Sequence, residues 1–477
     1  MPQQSGGLEI EMNNNTGLVY TSEPKRRNSS LLILSAFLVT YFIYTDFNIR
    51  QLLGYAVLCA LLLLNVSRGI TFTKTKAAFL VLAFVNLLFF LLPNANHDKD
   101  TISYMLAMVI LAVYLLFSEY DKKTVRWALL VFQMTSIVFM LALLFFRLFP
   151  DVYMSHILPM LSDATQEEAS IYMSKGYSIP IAGGYTYANY LFALAFSISV
   201  GWLFSGCAKR SERLISLATA ASALAGVLLM GRRSELAALL AAFCVIAFLY
   251  RKRRLTNKKL ARLILLPVVL IALVVMFFML GSLGFLSRYV NTLQQIIANG
   301  GAGLSEIFGG SNDITSGRME LWSIAVELFC KFPLFGVGYF RFGDYVPVEF
   351  SDSHGRGLVT AVHNDYLQHL CETGIIGTVL WLIPTFYLLW TAIKQARRIS
   401  RRRDSLPAEV TVLNIVSLGV QIFYAVLGLA DPCFYHMTYW SFYTVGIISL
   451  QFSLTLEESV NAENAERVTD TEEGASV

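Results

Sequence analysis

Long apolar stretches alternate along the chain with short polar connections. Leu31 to Thr45, Ala77 to Leu92 and Leu263 to Leu280 contain no acidic residue and no Lys or Arg. A helix needs about 20 largely apolar residues to cross a bilayer, at about 1.5 Å rise per residue. Runs this long and this numerous are spanning helices, because lipid offers backbone polar groups no other partner. The pattern predicts an all-α polytopic membrane protein of about 12 transmembrane helices over residues 30–455. The spans fall near 30–45, 52–67, 77–93, 103–118, 127–146, 184–204, 214–230, 235–250, 263–286, 366–393, 410–430 and 436–455. The polar N-terminal stretch 1–29 reads as a cytoplasmic tail, and the acidic stretch 456–477 as a disordered one. With Lys25, Arg26 and Arg27 ahead of many apolar runs, the N-terminal stretch is not read as a cleaved signal.

Composition agrees with the pattern. Only 15% of the 477 residues are charged, against roughly a quarter in soluble proteins. The net charge of +4 says less than its placement. Lys and Arg collect in cytoplasmic loops. With the N-terminus inside, seven basic residues fall in 251–262 and six in 394–403, both cytoplasmic. Both termini are then cytoplasmic. Two long segments face outward, about 147–183 and 287–365. Six cysteines occur without a CxxC pair, so neither a disulfide framework nor a zinc site is read. No internal repeat, P-loop or nucleotide-binding glycine loop is visible.

Candidate chemistry lies in the residues that break these rules. Arg232 and Arg233, in GRRSE, sit in a tight external connection where the orientation rule disfavours them. An arginine fork grips phosphate oxygens in pairs; the plain alternative is snorkelling or pairing with Glu235. Arg318 follows Thr315 and Ser316 at the start of an expected amphipathic helix, 317–330. Met319, Leu321, Trp322, Ile324, Ala325 and Leu328 form its apolar side. A cation in a first turn opposes the helix dipole, so Arg318 has another partner or another task. Asp313 and Glu320 are its plain alternative partners. KFPLFGVGYFRFG, at 331–343, reads as a tight turn of close backbone approach. His363, in AVHNDYLQHL, stands at the external edge of a span, and a histidine can act as a base near neutral pH. Asn364 and Asp365 beside it can orient an acceptor or a ring. His369 is read as a packing residue, and His354 as a secondary candidate base. Asp98 and Asp100 have DxD spacing but read as solvated charge, because a divalent ion needs several converging oxygens. Arg288, Arg341 and Arg356 are further external cations that nothing singles out.

Three of these features resemble the O-antigen ligase and polymerase superfamily of bacterial envelope glycan transferases. The resemblance is carried by GRRSELAAL at 231–239, SGRMELWSIAVELFCKFPLFGVGYF at 316–340 and HNDYLQHLCETGIIG at 363–377. It covers roughly 184–450. It implies an inverting, metal-independent glycosyltransferase without cofactor, in the bacterial cytoplasmic membrane. The implied donor is a polyprenyl-pyrophosphate-linked oligosaccharide on the outer face, and the acceptor a glycan or a lipid. On the family's register Arg233 and Arg318 are the pyrophosphate arginines and His363 is the base. Arg232 stands where the family usually has Ser, which leaves open which of the pair does the work. A flippase and a chain-length regulator are the implied partners, beside membrane lipids and no nucleic acid.

Within the family, polymerisation of a surface polysaccharide (O-antigen, capsule or exopolysaccharide) is favoured slightly over ligation, since no segment suggests a dedicated core-lipid binder. Outside it, the alternative is a lipid-linked sugar flippase. Carriers commonly place charges near the midplane, whereas here the unusual residues gather at one edge.

Overall fold

A computed structural model describes residues 72–118, 122–161, 163–174, 178, 184–205, 209–250, 318–347, 361–402, 405–435 and 437–474. Among these residues every regular element is helical. Helices α1 (Lys74–Phe90), α2 (Lys99–Phe117) and α3 (Lys122–Leu148) come first. Short helical turns over Pro150–Val152, Tyr153–Ile157 and Leu158–Met160 lead to α4 (Asp163–Ser174). Next are α5 (Gly184–Ser205), α6 (Arg210–Leu229) and α7 (Arg233–Tyr250). The chain closes with α8 (Arg318–Lys331), α9 (Asp365–Arg402), α10 (Ala408–Leu427) and α11 (Met437–Gly474).

Each expected span within the described residues coincides with a helix; 30–45, 52–67 and 263–286 lie outside them. Six described helices are long and apolar enough to cross a membrane: α3, α5, α6, α7, α9 and α10. Helices α5 and α10 are buried along nearly their whole length, as expected of helices apolar on all sides. Their backbones approach closely at small residues. A Cβ on Gly201 would meet Val412, and one on Gly419 would meet Ser197, the packing mode of helices that gain no hydrophobic advantage over lipid.

Two elements depart from expectation. Helix α11 continues to Gly474, so 456–477, read as disordered, is helical over most of its length. Glu and Ala are strong helix formers, and Gln395 Nε2 donates to Glu457 Oε2 at 2.7 Å, fastening the first turn beyond the apolar part. Helix α9 contains a break at Gly374 (φ 65°). The 333–338 segment crosses it, with Val337 N–H on Cys371 O, Gly338 N–H on Glu372 O and Ile375 N–H on Pro333 O, at 2.9–3.0 Å. These bonds replace those the helix loses. Gly336 (φ 69°) faces the break from the other side, and a Cβ on either glycine would strike the other segment's backbone. The turn predicted over 331–343 is therefore real, and its close partner is the broken helix.

The expected amphipathic helix is present as α8. It buries Leu321, Ala325 and Leu328, spaced four and three apart, on a small satellite cluster with Val337, Phe342, Val362 and Cys371.

Candidate functional site

The α6–α7 connection, the N-terminus of α8, the entry into α9 and the α10–α11 connection meet at one end of the bundle. The topology read from the positive charges puts all four on the same side. Their meeting point is Asp431. Arg318 Nη2 donates to Asp431 Oδ1 at 3.2 Å, and Nη1 to the Ala430 carbonyl. Ser234 Oγ lies 3.0 Å from Asp431 Oδ2 and 2.8 Å from Glu235 Oε2; its one proton serves one carboxylate at a time. His363 Nδ1 stands 3.6 Å from Asp431 Oδ1, an ion-pair distance slightly beyond a hydrogen bond. Arg232 Nε is 3.5 Å from Glu235 Oε1, whose side chain is fully buried. Asn189 Nδ2 approaches the same oxygen at 3.5 Å.

Burial alone would raise the Asp431 carboxyl. Its contact with His363 and the charges of Arg232 and Arg318 outweigh that effect and hold it below the ordinary aspartate value. Asp431 is thus an anion at neutral pH, and Arg318, which opposes the dipole of α8, has found its partner.

His363 adopts φ 56°. A non-glycine residue there is uncommon, and costs of order 1–3 kcal/mol unless its surroundings impose it. They do so here. Val362 N–H donates to Gln368 Oε1 at 2.6 Å, and Gln368 Nε2 donates to Glu372 Oε1 at 2.8 Å. Buried Glu372 also accepts from Phe340 and Phe342 N–H, each at 3.0 Å. One carboxylate therefore fixes both the entry to α9 and the turn at 338–342, including Phe340 with its own positive φ of 58°.

Asn364 and Asp365 turn toward the α10–α11 connection. Asn364 Oδ1 caps α9 by accepting from Leu367 N–H at 3.1 Å, and Nδ2 donates to Leu429 O at 3.2 Å. Asp365, fully buried, accepts from Cys433 N–H at 2.9 Å and Phe434 N–H at 3.3 Å. Its own N–H donates to Gly428 O at 2.7 Å. These two residues clamp the turn that carries Asp431.

Arg233 opens α7 half-buried, and the charge of Arg232 acts on Glu235 and Asp431. His369 stacks on Trp381 with ring centroids 4.2 Å apart, as a packing residue does. Asp98 caps α2, accepting from Thr101 N–H at 2.7 Å, which accounts for one half of the DxD pair. Arg341 pairs locally with Asp344 at 2.7 Å. His354, Arg288 and Arg356 lie outside the described residues. Asp431 itself went unnoticed in the sequence, as one Asp in a short LADPC connection.

Fold and cluster together define a helical membrane protein with an arginine- and histidine-bearing site at one end of its bundle. Residues 191–382 match the family described as O-antigen ligase, which supports the O-antigen ligase and polymerase superfamily for this chain. That family is one of membrane glycan ligases and polymerases, and implies a glycosyltransferase-type activity. Arg232, Arg233, Arg318 and His363 fall inside the matched stretch; Asp431 falls beyond it. No curated protein matches the chain.

Proposed function

We propose that this protein polymerises repeat units of a surface polysaccharide on the outer face of the bacterial cytoplasmic membrane, from a polyprenyl-pyrophosphate-linked donor. The observation that carries the reading is the convergence of Arg318, Arg232, Ser234 and His363 on Asp431, with Ser234 as far as 197 residues away in sequence.

The donor is already activated, so the protein needs to stabilise its leaving group and deprotonate its acceptor. Arg318 and the Arg232–Arg233 pair supply charge to the departing pyrophosphate, at a membrane edge where such contacts are weakly screened. His363 takes the proton of the acceptor hydroxyl. Asp431 beside Nδ1 keeps that nitrogen protonated and leaves Nε2 free to act, then steadies the imidazolium, as the aspartate of a catalytic triad does. The acceptor oxygen forms its bond to the anomeric carbon as the carbon–pyrophosphate bond breaks, and the electron pair leaves with the pyrophosphate. A single displacement inverts the anomeric centre and uses no metal. Asn364 and Asp365 act as positioning residues, through the turn that holds Asp431.

The ligase reading has support from the matched family's description. The test is purified protein in nanodiscs with a polyprenyl-pyrophosphate-linked oligosaccharide, chelator present and nucleotide absent. Glycan that lengthens on the lipid carrier alone establishes the polymerase. Release of polyprenyl pyrophosphate only on addition of a separate acceptor establishes the ligase. No release with any acceptor, alongside lipid movement between leaflets, would overturn both in favour of a flippase.

A further inference from the structure

The opposite end of the bundle holds a cavity with no part in the transfer site. It lies between α3, the end of α5 and the start of α6, encloses about 250 Å³, and is lined by Lys123, Arg126, Trp127, Gln133, Trp202 and Glu212, among others. That is smaller than the roughly 300–1,000 Å³ that encloses a drug-sized ligand, and suits a compact headgroup.

Its walls are built. Arg126 Nε donates to buried Glu409 Oε1 at 2.7 Å, and its guanidinium lies over the Trp202 ring, 5.7 Å from the centroid. Gln133 is held by contacts of 3.2 Å to Ser199 and Ser216. Glu212 Oε2 accepts from Lys209 N–H at 2.7 Å, leaving Oε1 toward the cavity at 4.0 Å from Arg126. Lys123 stands exposed at the rim. Lys122 Nζ also lies 3.7 Å from Glu409 Oε1, and Lys209, Arg210 and Arg213 are exposed at the start of α6. Glu119 and Asp121, nearby in sequence, lie outside the described residues. From the mouth an exposed apolar stripe runs down α3 through Trp127, Met134, Val138, Leu141 and Phe145. Its spacing of seven, four, three and four residues keeps it on one helix face.

We infer that this cavity binds the headgroup of an anionic phosphoglycerol lipid of the cytoplasmic leaflet, with the acyl chains along the α3 stripe. Lys123 and Arg126 take the phosphate. Glu212 Oε1 accepts from a glycerol hydroxyl, and Trp127 sits at the depth where tryptophans anchor to the interface. Basic pockets between helices on the cytoplasmic side recognise anionic headgroups in this way. The inference rests on the membrane topology and not on the transferase reading, so either can fail alone.

The experiment is native mass spectrometry of the full-length protein extracted from an equimolar mixture of phosphatidylglycerol and phosphatidylethanolamine. Retention of phosphatidylglycerol should exceed that of phosphatidylethanolamine about five-fold, the preference one favourable basic contact confers. Lys123→Glu and Trp127→Ala change exposed side chains and should each remove the preference. Lys394→Glu, on α9 at the same end, should leave it. Equal retention of both lipids, or a preference that survives both groove substitutions, overturns the proposal. Displacement of the lipid by millimolar inorganic phosphate overturns it too, in favour of a free-phosphate site.

Discussion

Asp431→Asn removes the charge at the meeting point of the site while keeping its shape and two polar atoms. At the 3.6 Å separation of Asp431 and His363, unit charges attract by about 4–5 kcal/mol at an effective dielectric of ~20. The His363 side chain is 37% exposed, so solvent screening reduces this to about 2–3 kcal/mol. That energy exists only once His363 carries the acceptor's proton, so it belongs to the transition state. Its loss should lower the turnover rate roughly 30- to 150-fold. The donor KM should stay level or fall, because Arg318 loses a carboxylate that competes with pyrophosphate. The assay is initial release of polyprenyl pyrophosphate at saturating acceptor, with membrane insertion checked by protein yield and monodispersity. The reasoning also specifies a coupling: added to His363→Ala, Asp431→Asn should cost little more, since its main effect acts through the imidazole. A turnover within three-fold of the parent, or a penalty that adds fully to that of His363→Ala, would refute the dyad.

Further outcomes follow from the same geometry. Arg318→Lys keeps a charge but loses the fork that holds Ala430 O and Asp431 together, so release should fall at least ten-fold despite normal insertion. Arg232→Ala should destabilise the fold. It strips fully buried Glu235 of its cation, a loss of about 3–5 kcal/mol for a buried pair, and thermal unfolding in detergent should show the drop. Gly336→Ala and Gly374→Ala place a Cβ on opposing backbone at positive φ; each should lower the melting temperature by several degrees or prevent accumulation. Because Asp431 is held below its ordinary value of 3.8, its stabilisation is full above about pH 4 and is lost as pH falls through the lower folded value. The stability gap between the parent and Asp431→Asn should therefore hold from pH 6 down to about pH 4 and narrow as the pH falls further.

The spans were legible because an apolar run of 20 residues has one stable outcome in lipid. The edge on which the site lies was legible because Arg232, Arg233 and Arg318 oppose a charge asymmetry that the other loops obey. The partners of those arginines were not. Asp431 lies 113 residues from Arg318, in a connection with no motif of its own, and only packing of α10 against its neighbours brings it there. A signal existed all the same. Three cations at one membrane edge require carboxylates at the same depth, and Glu235, Asp365 and Asp431 were among the acids that topology offered, beside Asp313 and Glu320. Depth sorted them into candidates, but direction could not be read. Asp365 turns to the backbone of Cys433 and Phe434, Glu235 to Arg232, and Asp431 alone to both Arg318 and His363. The tail at 456–474 was misjudged for a different reason. Low apolar content argues against a packed core, yet a helix already started in the membrane needs no nucleation, and residues such as Glu and Ala extend it at little cost.

On the proposed reading, these placements also explain why so many carboxylates stand in a site that takes an anion. Without a donor, Arg318 and Arg232 would be cations at a membrane edge with nothing to offset their desolvation. Asp431, Glu235 and the Ala430 carbonyl hold them in place at distances a phosphate could match. A bound pyrophosphate then competes for a guanidinium already aimed, so little reorganisation remains for the chemical step. Asp431 faces His363 and Arg318 through the same oxygen. On the same reading, when Arg318 turns to the donor that oxygen is left to the imidazole, which couples the two halves of the site. Clamping the turn through Asn364 and Asp365 keeps this oxygen between its two partners, and a site with either residue loosened would hold the same groups without the same coupling.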